Sequence, residues 1–315
     1  MNTPRSRVPA ALAASALGAA LALTGCSSAD TPDDGRLQVL ASFYPLQFIT
    51  EEIGGDLVDV TSLTPSGAEP HDLELSPAAA RSVGDADLVV YLSDFQPAVD
   101  DAIAQREPAH VVDAATSAHL EAHELRDEHE DEHEHSADDG HDHGDLDPHF
   151  WLDPQRLADV SADVVAELSA VDPDNADTYA QRGDDLVASL TELDTTFSEG
   201  LAQCESQLLV TSHEAFGYLA ERYGLEQVGI SGIDPEAEPS PARIKEVSSI
   251  IEDREVTTIY FETLVSPKVT ETLAADLGIT SAVLDPLESL SDADGDYRSV
   301  MLSNLEALQA GLVCA

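Results

Sequence analysis

Residues 172–202 read DPDNADTYAQRGDDLVASLTELDTTFSEGLA, and this stretch decides how the rest of the chain is interpreted. Its large apolar side chains recur at near-helical spacing with no proline after Pro173, which predicts one long amphipathic helix. Asp172 is expected to cap this helix, and Pro173 suits its first turn. A helix over residues 174–202 would be roughly 43 Å long at about 1.5 Å per residue. We therefore expect a rigid strut between the two halves of the chain.

On both sides of this stretch, short β-branched segments alternate with helical patterns, which is typical of parallel sheets covered by helices. Before it, we predict strands over 37–41, 58–63, 88–92 and 110–112, with helices over 45–53, 77–83 and 97–105. After it, we predict strands over 208–211, 227–230, 257–261 and 281–284, separated by helices that begin near residues 214, 241 and 267.

The predicted fold class is therefore α/β, with two lobes that each hold a parallel-type sheet flanked by helices and are joined by one long rigid backbone helix. The expected boundaries are 36–171 for the N-terminal lobe, 172–203 for the linking helix and 204–315 for the C-terminal lobe.

The first 25 residues have the layout of a secretory signal peptide, because Arg5 and Arg7 precede an apolar, alanine-rich stretch. This stretch ends in Leu23-Thr24-Gly25-Cys26, which resembles the bacterial lipoprotein signal, where cleavage precedes a cysteine that is then lipidated. We expect residues 1–25 to be the signal peptide, residues 26–35 a tether and Cys26 the lipid anchor. The alternative is a plain transmembrane anchor, for which the stretch is short. The expected location is extracytoplasmic, anchored to the cell membrane.

The chain is strongly acidic, with 62 acidic and 14 basic side chains and a net charge of −48. Since Arg5 and Arg7 are the only charged residues among the first 25, cleavage there would change the net charge to −50. This charge argues against nucleic acid as a partner. If Cys26 is lipidated, two cysteines remain, Cys204 and Cys314. In an oxidising compartment outside the cytoplasm, this even number favours a disulfide over two unpaired thiols or a metal ligand. We expect a monomer.

Residues 119–147 form an acidic, low-complexity segment with almost no apolar residues, and we expect a solvated loop. Its seven histidines are His119, His123, His129, His133, His135, His141 and His143. They would serve as an auxiliary metal loop that collects metal and hands it over, which needs neutral imidazoles and should fail below about pH 6.5. The alternative is a tolerated loop with incidental metal affinity.

Three other histidines lie in turn-rich contexts. His71 and His213 come just after predicted strands, and in open α/β sheets ligands bind beyond the carboxyl ends of the strands. Glu262 and Asp285 also directly follow predicted strands of the second block. If the carboxyl ends of the two sheets face each other, these groups and His149 would form a near-tetrahedral site of nitrogen and oxygen atoms at the interface of the lobes.

The motifs around these residues resemble those of the metal-binding subunits of ABC importers for zinc and manganese, over essentially all of 37–314. They are Glu69-Pro70-His71-Asp72-Leu73-Glu74-Leu75-Ser76-Pro77, Asp147-Pro148-His149-Phe150-Trp151, Ser212-His213-Glu214-Ala215-Phe216, Phe261-Glu262-Thr263 and Leu284-Asp285-Pro286-Leu287. The resemblance implies metal ligands at the positions of His71, His149, His213 and Asp285. It also implies that Glu69 and Glu262 are alternative ligands or nearby supporting groups.

The resemblance further implies the substrate-binding lipoprotein of an ABC importer, which captures Zn²⁺ between two lobes and delivers it to a membrane permease without catalysis. In relatives selective for manganese, a glutamate usually occupies the position of His213. A third imidazole favours zinc, because carboxylate oxygens suit manganese and nitrogen suits zinc. The alternatives are a manganese or iron receptor of the same type, a zinc-dependent hydrolase, or an adhesin that holds metal structurally. A hydrolase is disfavoured because a fourth protein ligand would close the open position that catalysis needs.

Overall fold

The computed structural model describes residues 35–122, 146–264, 266–290 and 295–315. Arg36–Ala315 form one compact unit. The predicted signal peptide and tether, with Cys26, lie outside the described residues, and so do six of the seven loop histidines, His119 being the exception. No helix among the described residues is long and apolar enough to cross a membrane.

The N-terminal lobe is built on a four-stranded parallel sheet. Its strands are β1 (Leu37–Ala41), β2 (Val58–Ser62), β3 (Leu88–Tyr91) and β4 (Val111–Asp113). They lie in the order β2-β1-β3-β4. The helices are α1 (Tyr44–Gly54), α2 (Pro77–Asp85), α3 (Pro97–Arg106) and α4 (Pro154–Val171), with short 3₁₀ turns at Gly55–Leu57, Ala114–Thr116 and Phe150–Leu152.

The C-terminal lobe repeats this plan. Its strands are β5 (Leu208–Thr211), β6 (Glu226–Gly229), β7 (Thr258–Phe261) and β8 (Thr280–Val283), all parallel and in the equivalent order β6-β5-β7-β8. The long helix between the lobes is α5 (Ala176–Leu201). The helices of the C-terminal lobe are α6 (Gly217–Tyr223), α7 (Pro241–Asp253), α8 (Lys268–Leu277) and α9 (Tyr297–Gly311). The predicted α/β class with two sheets joined by a long helix is confirmed.

The long helix begins two residues later than predicted, after a 3₁₀ turn at Pro173–Asn175. The predicted cap at Asp172 is wrong: its carboxylate accepts hydrogen bonds from the Asn175 side-chain amide, at 2.6 Å, and from the Tyr179 hydroxyl, at 2.9 Å, rather than from backbone N–H groups at the start of the helix. Asp172 therefore fastens the turn to the helix through side chains.

Helix α5 packs against α1 and α4 of the N-terminal lobe and against α6 and α9 of the C-terminal lobe. Its buried stripe belongs to a core shared by both lobes, which includes Leu46 of α1, Leu190 of α5 and Leu308 of α9. Because burial of large apolar side chains is the main favourable term in folding, this shared core holds the two lobes on one strut. The predicted disulfide is confirmed: Cys204, just after α5, is bonded to Cys314, just after α9.

In both sheets the order of the strands reverses between two neighbours, β1 and β3 in one lobe and β5 and β7 in the other. Connections leave such a pair in opposite directions, which opens a crevice beyond the carboxyl ends of the two strands. The loops that follow the strands meet there and carry the residues described next.

Candidate metal centre

Four side chains from both lobes converge in one group, His71, His149, His213 and Glu288. The Nε2 atom of His149 lies 3.3 Å from that of His71 and 3.4 Å from that of His213. The Oε1 atom of Glu288 completes the group. It lies 3.3 Å from Nε2 of His71, 3.2 Å from that of His149 and 3.4 Å from that of His213.

These spacings fit one small divalent ion. Zinc in proteins is bound tetrahedrally, with bonds of about 2.0 to 2.1 Å to imidazole nitrogen and similar bonds to carboxylate oxygen. The corners of a regular tetrahedron are separated by about 1.6 times the distance from centre to corner, so zinc ligand atoms should lie about 3.3 Å apart. The five interatomic distances given above run from 3.2 to 3.4 Å. Five of the six distances within the group therefore match a four-coordinate zinc site, and the sixth, between the ligand nitrogens of His71 and His213, is at most 4.8 Å.

His71 lies in the loop between β2 and α2, in a turn shaped by Glu69. The Oε1 atom of Glu69 accepts the backbone N–H of His71 at 2.9 Å and lies 3.9 Å from its Nε2 atom. Burial raises the pKa of the Glu69 carboxyl, against the opposing effect of His71. The imidazole packs edge-on against Phe95, with ring centroids 4.8 Å apart. His71 is thus held from two sides, and its side chain remains 13% exposed.

His149 is oriented by Asp147, and both side chains are fully buried. The Oδ1 atom of Asp147 accepts the backbone N–H of His149 at 2.9 Å and lies 2.7 Å from its Nδ1 atom. A proton on Nδ1 satisfies this carboxylate and leaves the Nε2 lone pair facing the group, the usual arrangement beside a metal. Asp147 was absent from the predicted site residues, although the spacing of an aspartate two residues before a histidine is visible in the sequence.

His213 follows β5 and is oriented in the same way by Glu262, which follows β7 at the reversal of strand order. The Oε1 atom of Glu262 lies 2.5 Å from Nδ1 of His213 and also accepts a hydrogen bond from the Ser212 hydroxyl. Of the two roles open to Glu262, the structure places it behind the imidazole and outside the group of four.

The carboxylate in the group is that of Glu288 and not that of Asp285. Asp285 shapes the turn after β8: its Oδ1 atom accepts the N–H of Leu287 at 2.8 Å, and its backbone exchanges two hydrogen bonds with the side chain of Asn304. Leu287 adopts a positive φ of 58°, which turns the chain so that Glu288 reaches the histidines. Glu288 is absent from the ligands expected from the sequence, because those ligands were sought directly after predicted strands. The position of a strand end gives no information about a turn further along the chain.

The charges of the group depend on one another. Burial opposes ionisation of Glu288, but hydrogen bonds from the three imidazoles hold its pKa well below the usual range. Burial likewise opposes protonation of His213, yet the charges of Glu262 and Glu288 raise its pKa to about 10. The pKa of His149 is raised by Asp147 and Glu288 against the same opposing burial. The metal-free group therefore balances its carboxylates with protonated imidazole, and an incoming cation takes over that positive charge.

Comparison with known proteins relates this chain to proteins of zinc uptake. A family model described as "Zinc-uptake complex component A periplasmic" matches residues 39–311. The high-affinity zinc uptake system protein ZnuA of Bacillus subtilis (strain 168) is 37% identical over 294 residues, which cover 91% of this chain and 90% of ZnuA. The zinc-binding lipoprotein AdcA of Streptococcus pneumoniae (strain ATCC BAA-255 / R6) is 36% identical over 298 residues, 92% of this chain. That match spans 58% of the length of AdcA.

Solved structures of related proteins have the same fold. The Zn(II)-bound ZnuA-like domain of Streptococcus pneumoniae AdcA superposes with a TM-score of 0.73 at 33% identity, over 88% of this chain and 99% of that domain. The laminin-binding protein Lmb of Streptococcus agalactiae, described as bifunctional with adhesin and metal transporting activity, superposes with a TM-score of 0.76 at 32% identity, over 88% of this chain and 99% of Lmb. These similarities confirm the resemblance that the sequence motifs indicate.

Proposed function

The chain belongs to the family of the zinc-uptake complex component A, and from this premise we propose that it is the extracytoplasmic zinc-binding component of an ABC importer. It captures Zn²⁺ between its lobes and delivers it to a membrane permease. The observation that carries the proposal is the convergence of three imidazole nitrogens and one carboxylate oxygen, with five of their six distances between 3.2 and 3.4 Å.

The proposed ligands are His71, His149, His213 and Glu288. Asp147 and Glu262 hold two of the imidazoles with Nε2 toward the metal, a role that typically contributes tenfold to a hundredfold to metal affinity. Glu69 shapes the turn of His71. Asp285, the ligand expected from the sequence, instead supports the turn that presents Glu288.

The donor set favours zinc over the alternative cargo. Manganese and magnesium prefer octahedral sites rich in oxygen, whereas a donor set of three imidazoles suits zinc. Four protein donors also argue against a zinc hydrolase, since a catalytic zinc keeps one position for water or substrate. The role is therefore binding and release of the ion rather than chemistry on a bound substrate.

The exposure of the four proposed ligands indicates where the metal enters the site. The side chains of His149, His213 and Glu288 are at most 1% exposed, and that of His71 is 13% exposed. The metal thus reaches the site past His71.

We further propose that Cys26 carries a lipid anchor, that the protein is a monomer, and that it docks on its permease from the outer face of the membrane. The lipoprotein name of the relative AdcA supports the anchor.

The proposal is tested by zinc titration of the chain lacking residues 1–35, in competition with a chelator. We expect one tight site that is lost in the double variant His71→Ala/His213→Ala and strongly weakened in Glu288→Ala. The matched control is His110→Ala. His110 is outside the group of four, and its Nδ1 atom lies 2.7 Å from Oε1 of Glu167.

A tight site that survived in the double variant would refute the proposed ligands. Circular dichroism after metal removal distinguishes a transport receptor from an adhesin that holds metal structurally. A transport receptor stays folded when empty, whereas a protein that holds zinc for structural reasons unfolds.

A further inference from the structure

Glu288 lies on a short segment, residues 286–290, that we call the bridging segment. It leaves the C-terminal lobe after β8 and contacts loops of the N-terminal lobe. At its start, the indole Nε1–H of the buried Trp151 donates to the carbonyl of Pro286 at 2.7 Å. Trp151 follows His149 by two residues, so this bond ties a donor from one lobe to the segment that brings a donor from the other.

At its end, the bridging segment is fastened by Ser289 and Leu290. The Ser289 hydroxyl accepts the backbone N–H of Gly67 at 2.7 Å and lies 3.4 Å from the carbonyl of Pro65. The Ser66 hydroxyl donates to the carbonyl of Leu290 at 2.5 Å. These three contacts all cross the interface of the lobes, and Ser289 is only 4% exposed. We call them the latch.

The latch joins the loop that carries His71 to the segment that carries Glu288. On one side, Ser289 is the residue next to Glu288. On the other, residues 65–67 lie in the same loop between β2 and α2 as His71. Gln96 ties that loop together, because its side-chain amide donates to the Thr64 hydroxyl at 2.9 Å and to the Pro70 carbonyl at 3.2 Å. Separation of the lobes on the His71 side therefore breaks the latch and withdraws Glu288 in the same movement.

We propose that Ser289 is a positioning residue for the bound metal: its hydroxyl fastens the bridging segment to residues 65–67, holds Glu288 against the three imidazoles and sets how long zinc stays bound. The inference rests on the proposed function. Mutations at an interface act mostly on dissociation. Loss of one net hydrogen bond should therefore make zinc dissociate about threefold to tenfold faster from Ser289→Ala, with little change in association.

The experiment measures the zinc dissociation rate by stopped-flow mixing with excess chelator. Ser66→Ala should shift the rate in the same direction and carries the test if Ser289→Ala does not fold. The matched control is Ser248→Ala, because the Ser248 hydroxyl donates to the Ile244 carbonyl at 2.6 Å within α7, away from the interface. Its rate should equal that of the unmodified protein. A rate in both latch variants equal to that of Ser248→Ala would overturn the proposal.

A double-mutant cycle separates positioning from a general loss of stability. If Ser289 acts through Glu288, Ser289→Ala should add little to the effect of Glu288→Gln, since residues in one unit are not additive. Full additivity would overturn the proposed route. If the unmodified protein itself binds no zinc, the proposed function fails. If it binds zinc through the histidines and the latch variants leave the rate unchanged, only this inference fails.

Discussion

The Nδ1 atom of His213 lies 2.5 Å from the Oε1 atom of Glu262, and both side chains are buried. The pair repeats the relationship of His149 to Asp147 in the other lobe, at 2.7 Å. In both pairs a buried carboxylate holds the proton on the far nitrogen of an imidazole and aims the near nitrogen at the centre. The proposed donors are therefore oriented before an ion binds.

Glu262→Gln should weaken zinc binding about tenfold to a hundredfold, because the amide can still accept a hydrogen bond from His213 but no longer supplies the negative charge. The dissociation constant from competition with a chelator measures the effect. Glu167→Gln is the matched control, since Glu167 pairs with His110 outside the site. Equal losses in both variants would contradict the role of Glu262.

Zinc affinity should rise with pH between about 6.5 and 10. The pKa of His213 is raised from 6.5 to about 10, so the metal-free protein keeps a proton there that zinc must displace. Each displaced proton makes affinity change by up to about tenfold per pH unit. Titrations at several pH values measure the slope, and a flat profile would contradict a protonated His213.

The stability of the metal-free protein should change with pH in the opposite sense. A pKa raised by folding stabilises the folded state fully below the unfolded value of 6.5, and this contribution is lost as pH rises through about 10. Melting temperatures without metal should therefore fall over this window. Zinc-loaded protein should lack this component, because its imidazoles carry metal at every pH tested.

Replacing residues 123–145 by a short glycine and serine linker should leave the tight site intact. The residues on either side are already joined, since the backbone N–H of Asp147 donates to the carbonyl of Glu121 at 2.8 Å. Equilibrium titration tests the site itself. Association rates at low zinc separate the two readings of the histidine-rich segment: slower loading supports collection and transfer, and an unchanged rate supports a tolerated loop.

Replacing both Cys204 and Cys314 by serine should lower the free energy of unfolding by about 2 to 5 kcal/mol, the usual effect of removing a native disulfide. Urea denaturation with and without reductant measures it. Zinc affinity at equilibrium should stay within about twofold, because the disulfide joins the segments that follow α5 and α9, whereas the four proposed donors lie on loops that contain neither cysteine. A large loss of affinity would indicate that the disulfide positions the site.

The fold follows from sequence patterns because strands and helices leave regular traces. The eight strands begin and end within one or two residues of the predicted bounds, and three of the four residues in the group are also among the ligands expected from the sequence. Helices α4 and α9 have no counterpart among the predicted elements. The role of Asp172 differs because its carboxylate contacts Asn175 and Tyr179, a choice among hydrogen-bond donors that spacing does not reveal.

The fourth donor depends on geometry that spacing does not carry. Asp285 directly follows the last predicted strand, 281–284, as the expected ligand should, but the N–H of Leu287 and the side chain of Asn304 hold it in a turn. Three residues further, Glu288 arrives at the histidines. Only the path of the chain after β8 distinguishes the two acids, and that path is set by a contact with α9.

The two lobes share one strand order, and each supplies two of the four proposed donors: His71 and His149 on one side, His213 and Glu288 on the other. With these donors, each lobe alone would be a two-donor chelator of modest strength, and tight binding would need both lobes. An ion can be held by one half while the other approaches or departs. The path out is therefore divided into two small steps instead of one large one, which lets a strong site also be a reversible one.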